Sequence, residues 1–206
     1  MLASLVSALG EPVTVDVLMR QVWEGDPPDS ANETLQAYVS RLRSRLRSAV
    51  GGRAHIDRGP RTYRLSVDPE AIDLYRFRRL HKQAKAVARS GSPRQAVELL
   101  LEAEGLWRGE PLGEFAGHWV ITLRGRLEEE LRSVQDLRIS LALDLGGSNE
   151  LIGELREMSE QRPFAEPVAK HLMLALYRSG READALDAYR QIDSRFREEL
   201  GLSPSR

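Results

Sequence analysis

The chain contains no cysteine, which excludes a disulfide framework and any metal site built on thiolates. It has no apolar run of the length that a membrane-spanning helix needs, since the longest run, HLMLALY, ends within a turn or two. The N-terminus lacks the basic region, apolar core and cleavage site of a secretory signal. We therefore expect a cytoplasmic protein with no membrane partner.

The features of an enzyme site are also missing. The sequence has no glycine-rich phosphate-binding loop, and its histidines lack the neighbours of a metal or nucleophile site. These histidines are His55, His81, His118 and His171. We expect neither catalysis nor a cofactor.

Acidic residues are scarce in one segment of an otherwise balanced chain. The net charge is −1, yet residues 30–66 hold eight arginines against Glu33 and Asp57. No acid occurs between Thr34 and Arg47. A solvated surface helix more often mixes acids and bases four residues apart, because such pairs stabilise it. The imbalance therefore indicates an anionic partner for this segment.

The basic segment TLQAYVSRLRSRLR has the period of a helix. Ser30 precedes Glu33 by three residues, which is the signature of a capping box at a helix start. The apolar residues that follow fall on one stripe of a helix at about 100° per residue, and they do not share a strand's period of two. They are Leu35, Tyr38, Val39, Leu42 and Leu46.

The face opposite this stripe is suited to a DNA major groove. Its first half is small or polar, comprising Thr34, Gln36, Ala37 and Ser40. Small side chains let the backbone approach the bases, and glutamine can bond adenine bidentately. Arginines crowd the second half, where Arg41, Arg43 and Arg47 can reach phosphates and Arg45 lies nearer the apolar edge.

The surrounding sequence predicts a winged helix-turn-helix. Two short helical patterns, LASLVSAL and VTVDVLMRQVW, precede the basic helix, and Thr14 can cap the second. After Gly51-Gly52 come two strand patterns, near residues 54–57 and 62–67, joined by Gly59-Pro60. Arg58 and Arg61 flank that turn and can reach a phosphate or the minor groove.

The second half is almost wholly helical, with helices expected near 72–90, 93–107, 119–145, 149–162, 165–179 and 181–200. SGSPRQAVELL and SGREADALDAY align without a gap, and GGSNELIGEL is a weaker third copy. This repetition indicates tetratricopeptide-like helical hairpins, which bury their apolar faces by stacking. An unrelated helical bundle that reuses a common turn is the alternative.

These patterns resemble a known family. The stretch PVTVDVLMRQVWEGDPPDSANETLQAYVSRLRSRLR, with YRL after it, is similar to an OmpR-type winged helix. Together with AVELLLEAEGLWRGEPL and RPFAEPVAKHLMLALYRSGREADALDAYRQ, it resembles the antibiotic regulatory protein (SARP) family of transcription activators. The resemblance implies a mainly α fold, with a winged helix followed by a bacterial transcriptional activation domain of tetratricopeptide-like helices.

The resemblance also implies a function. Activators of this family bind direct repeats in promoters, often as side-by-side pairs, and recruit RNA polymerase through its sigma or other subunits. By motif position, Gln36, Ala37 and Ser40 would face bases, and Tyr38, Arg41, Arg43 and Arg58 would contact phosphates. The loop that would face the polymerase carries Glu24, Asp26 and Asp29.

The chain departs from the family pattern at its first helix and its wing. An N-terminal sheet is apparently missing, which predicts that Leu2, Leu5 and the wing strands are partly uncovered. Thr62 stands where the wing usually has glycine before its tyrosine. We predict a DNA-binding domain at 1–67, a linker at 68–73 and an activation domain at 74–206. The alternative is a helical-repeat interaction module whose vestigial winged helix does not bind DNA.

Overall fold

The computed structural model describes residues 1–203. It divides into two compact units, each considered by itself. The first unit contains Met1–Arg79 and Leu106–Glu130, and the second contains Leu80–Gly105 and the residues from Leu131 onward. The predicted boundaries at residues 67 and 74 stay predictions, and the last three residues of the predicted domain 74–206 lie outside the described residues.

The first part of the chain has the expected order of helices and strands. It contains α1 (Leu2–Ser7), β1 (Val13–Thr14), α2 (Val15–Trp23), α3 (Ala31–Val50), β2 (Ala54–Gly59) and β3 (Thr62–Val67). Thr14 caps α2 as predicted, since its hydroxyl accepts a hydrogen bond from the Val17 amide at 3.3 Å. The predicted capping box is wrong, because Ser30 precedes α3 but makes no side-chain capping bond.

The strands form a three-stranded antiparallel sheet in the order β1-β3-β2. In β2 and β3, Ala54, Ile56, Tyr63 and Leu65 are buried at alternate positions. Of these, Ile56, Tyr63 and Leu65 join a core that includes Leu5, Leu18, Leu35 and Val39. Leu5 is fully buried, so the expectation that it would be uncovered is wrong, whereas Leu2 is 38% exposed.

The chain after the sheet is helical. A short 3₁₀ turn at Pro69–Ala71 precedes α4 (Asp73–Arg89), α5 (Pro93–Glu104), α6 (His118–Asp144), α7 (Ser148–Gln161), α8 (Glu166–Arg178) and α9 (Glu182–Arg195), which continues as a π-helix, Phe196–Leu200. Ala96, Leu100 and Ala103 are buried along α5 at helical spacing. The predicted fold class is confirmed.

The repeated sequence corresponds to a repeated backbone turn. Gly91, Gly146 and Gly180 all have positive φ, between 73° and 92°. Each donates its amide to the carbonyl three residues earlier, and the next residue donates to the carbonyl five residues earlier. This pair of bonds is a Schellman motif. The third copy is aligned on Gly146, its first glycine, because Gly147 occupies the position of Ser92 and Arg181.

The second unit has its own core and one buried cation. Ile139, Leu143, Leu155, Leu172 and Leu176 pack together between α6, α7 and α8. Near this core the Arg138 side chain is only 5% exposed and pairs with Glu104 and Glu154. Its Nε lies 2.6 Å from Glu104 Oε1, and Nη2 contacts Glu154 Oε1. Desolvation raises the pKa of Glu104 above its ordinary value and opposes the effect of Arg138.

Candidate nucleic-acid interface

The helix α3 presents one polar face to solvent because its opposite face is fixed in the core. Leu35 and Val39 are 0% and 1% exposed, and they hold α3 against α2 and the sheet. The side chains predicted to face bases lie on the other side. Gln36, Ala37 and Ser40 are exposed, and Thr34 is half-buried.

Tyr38, at the side of this face, contacts both an aromatic ring and a cation. Its ring is stacked on Trp23, with centroids 6.1 Å apart and an interplanar angle of 15°. The Arg41 guanidinium lies 5.0 Å from the centre of the same ring, one helical turn further on. A cation over an aromatic face is attracted by the ring quadrupole. Arg41 is exposed to solvent, and this attraction holds its guanidinium over Tyr38.

Arg43 makes a different contact. Its Nε and Nη2 both donate to the backbone carbonyl of Ile56, at 2.9 and 2.8 Å. Because Ile56 lies in β2, Arg43 ties α3 to the wing. Its role as a phosphate contact stays a prediction, with two of its five donors already engaged.

Arg45 and Arg47 lie further along α3 and are exposed. Within residues 1–203 neither has an ion pair or a side-chain hydrogen bond. Arg47 is in the last turn, where a cation is favoured by the helix dipole. Both are therefore free to bind an anion.

The wing hairpin turns at Pro60-Arg61, one residue later than the predicted Gly59-Pro60. Gly59 pairs with Thr62, and Arg61 adopts a positive φ of 50°. The Arg61 guanidinium pairs with Asp16 at 2.7 Å, but both side chains are more than half exposed. Arg58 is exposed without a side-chain partner in the described part of the chain.

A local network occupies the wing beside these arginines. Asp57 accepts hydrogen bonds from Ser66 at 2.8 Å and from Arg64 at 3.2 Å. The Ser66 bond and then the Arg64 bond lower the pKa of Asp57 below its ordinary value. The Arg64 guanidinium is therefore already paired with a carboxylate inside the hairpin.

The loop between α2 and α3 carries exposed acids. Glu24, Asp26 and Asp29 are all exposed, and Glu24 has a left-handed φ of 54°. The Glu24 carboxylate lies where a β-carbon on Gly117 would stand. Sequence reasoning missed this contact, because Gly117 lies far along the chain from Glu24. The φ of 115° that marks Gly117 is visible only in the structure.

Among residues 1–203 no cluster of histidines or acids is arranged to hold a metal ion. In that same range no helix is long and apolar enough to cross a membrane.

A winged helix whose α3 has no acid after Glu33, followed by helical repeats, is typical of a transcription regulator. The description "Transcriptional regulatory protein, C terminal" matches residues 1–59, and "Bacterial transcriptional activator domain" matches residues 72–206. The chain belongs to the SARP family, whose matching members are named as transcriptional regulators.

Its relatives include several actinobacterial regulators. It is 34% identical to regulatory protein DnrI of Streptomyces peucetius, over 95% of this chain and 75% of that protein. It is 33% identical to regulatory protein AfsR of Streptomyces griseus, over 99% of this chain but 20% of that protein. The solved structure of Mycobacterium tuberculosis EmbR, in complex with a low-affinity phosphopeptide, matches with a TM-score of 0.90 and 32% identity, over 99% of this chain and 54% of that chain. The chain therefore spans only about a fifth to a half of some relatives.

Proposed function

We propose that this protein activates transcription in the cytoplasm by binding promoter DNA through α3 and the wing, and by recruiting RNA polymerase. The observation that carries the proposal is the exposed face of α3, which has no acid after Glu33 and on which Gln36, Ala37 and Ser40 precede the arginines. A face with small side chains and one amide allows the backbone to approach base edges.

The phosphate contacts proposed beside this face are Tyr38, Arg41, Arg47, Arg58 and Arg61, whereas Arg43 is proposed to hold α3 against β2 through the Ile56 carbonyl. Arg47 and Arg58 are exposed and have no side-chain partner among residues 1–203, so binding a phosphate breaks no bond within that range. Arg61 would exchange its exposed pairing with Asp16, which is worth little in water. Arg41 is already held over Tyr38, which reduces the rotamer freedom it loses on binding.

The proposed polymerase contact is the exposed loop with Glu24, Asp26 and Asp29, together with the helical repeats. The name of the matching domain, a bacterial transcriptional activator domain, supports the part of this assignment that concerns the helical repeats. On DNA, the proposed arrangement is two copies of the protein bound side by side on direct repeats. A footprint that covers both repeats, with two chains bound per duplex, is the expected result.

The salt dependence of binding tests the proposal. Duplex DNA taken from the protein's own promoter is titrated at several salt concentrations with wild type, Arg41→Ala, Arg47→Ala and Arg58→Ala. The slope of log K against log salt is negative, and each loss of a phosphate contact should reduce its magnitude by about 0.9. Arg94→Ala is the matched control, because it removes the same charge from an exposed position on α5 in the second unit.

Base recognition needs its own variant. Gln36→Ala should reduce the preference for the specific over a scrambled duplex by about 1–3 kcal/mol while leaving the salt slope unchanged. Absence of any binding at low salt would refute DNA binding and favour the interaction-module alternative.

A further inference from the structure

A cavity of about 330 Å³ lies entirely within the first unit. Cavities of this size hold small organic molecules. Its walls come from α1, the first turn of α4, the segment after α5 and the buried part of α6. The apolar lining is formed by Val6, Leu74, Phe77, Leu106, Trp107, Pro111, Leu112 and Leu127.

The aromatic part of this lining consists of two rings in contact with each other. Phe77 is 2% exposed and meets Trp107 edge to face, with ring centroids 5.6 Å apart and an angle of 74°. This arrangement is favourable for two aromatic rings. A third flat ring can therefore stack or pack against surfaces that already have fixed orientations.

The segment after α5 is held in place by one arginine. Arg124 donates from Nε to the carbonyl of Pro111 at 3.1 Å, and from Nη2 to the carbonyls of Gly113 and Phe115 at 2.9 and 3.2 Å. Leu112 is fixed in a left-handed conformation with φ of 65°. Because these bonds fix the backbone of this wall, binding orders little of the chain.

The charges at the cavity are unequally satisfied. Glu110 is paired with Arg124 at 2.7 Å, and Asp73 accepts a hydrogen bond from the Leu74 amide at 2.8 Å. Arg108 is exposed, and within residues 1–203 it has no ion pair or side-chain hydrogen bond. Its guanidinium is thus the one charged group of the described lining that has no partner.

We propose that this cavity binds a small aromatic molecule that carries one anionic group, with Arg108 as the counter-ion and Trp107 and Phe77 as the ring-binding surface. The ligand contacts Val6 in α1 and Leu74 in α4 at the same time, so it also stabilises the first unit. This inference does not depend on DNA binding.

Two dyes of nearly the same shape test the proposal. 8-Anilinonaphthalene-1-sulfonate carries an anionic group, and N-phenyl-1-naphthylamine is its neutral counterpart. Arg108→Ala should weaken the binding of the sulfonate about fivefold, the upper range for an exposed ion pair, and should leave the neutral dye unchanged. Arg126→Ala, at an exposed position outside the lining, is the matched control and should change neither dye.

A cavity-filling variant locates both dyes. Leu74→Trp places an indole in the cavity and should weaken both dyes about tenfold or more. Should this variant not fold, the indole N–H resonance of wild-type Trp107, identified with single Trp→Phe variants, provides the location. It should shift with saturable one-to-one binding. The proposal is overturned if no dye binds, if Arg108→Ala leaves the sulfonate unchanged, or if the Trp107 resonance does not move.

Discussion

Replacing Arg43 separates a structural arginine from a phosphate contact. Arg43 donates two hydrogen bonds to one carbonyl of β2, at 2.9 and 2.8 Å. Hydrogen bonds that involve a charged group contribute about 1.5–3 kcal/mol. Because the side chain is half-buried rather than fully buried, we expect Arg43→Ala to lower the free energy of unfolding by about 2 kcal/mol. Arg41→Ala, on the exposed face, should cost less, about 0.5–1 kcal/mol, because it removes only an exposed cation–π contact with Tyr38.

The same two variants should differ in the opposite sense on DNA. If the Ile56 carbonyl keeps the Arg43 guanidinium, Arg43→Ala lowers affinity by loosening the wing but leaves the salt slope near the wild-type value. Arg41→Ala should reduce the magnitude of that slope by about 0.9. Urea unfolding gives the stability and salt titrations give the slope. A fall of about 0.9 in the slope for Arg43→Ala, with unchanged stability, would refute the structural role and support the phosphate contact predicted from the sequence.

Three further predictions concern groups away from α3. Arg138→Met should lower the free energy of unfolding by about 3 kcal/mol, because it leaves the partly buried Glu104 without its cation. Adding Glu104→Leu should recover most of this loss in urea unfolding, and equal losses in both backgrounds would contradict the prediction. Gly117→Ala should cost about 1–2 kcal/mol in the same assay, since φ is 115° and the new β-carbon meets Glu24; adding Glu24→Ala should relieve only part of that cost. Burial lowers the pKa of His171 from its ordinary value of 6.5, so the stability that its neutral form contributes is present above pH 6.5 and is lost as pH falls through the lowered pKa. His171→Asn should therefore flatten the fall in melting temperature at acidic pH, whereas the control His118→Asn, at an exposed position, should leave that fall unchanged.

The elements of this fold were predictable wherever the signal is local. Helix positions follow from apolar spacing, and the turns at Gly91 and Gly180 follow from the Ser-Gly pairs that the repeats share. The two residues of β1 were missed because a strand that short has no period. The cap at Ser30 failed although its sequence signature is present, since backbone geometry decides which side chain reaches the free amides.

The candidate site was predictable only in part. Its exposed residues follow from the helical period, because Leu35 and Val39 determine which face is buried. The contact between Arg43 and Ile56 was not predictable, since it depends on how the chain returns after Gly51-Gly52. Arg138 was missed for the same reason, because its two acids lie on other helices.

The density of arginine in α3 therefore overstates the number of side chains available to DNA. Successive arginines at intervals of two residues are rotated by about 200°, so they cannot share a face of a helix. Arg43 is turned toward the wing, while Arg41, Arg45 and Arg47 remain exposed. A winged helix must present its helix and its hairpin at one fixed angle for both to contact the same duplex. An arginine that ties them together can affect affinity without touching DNA, and only a measurement that counts released ions can distinguish it from one that does.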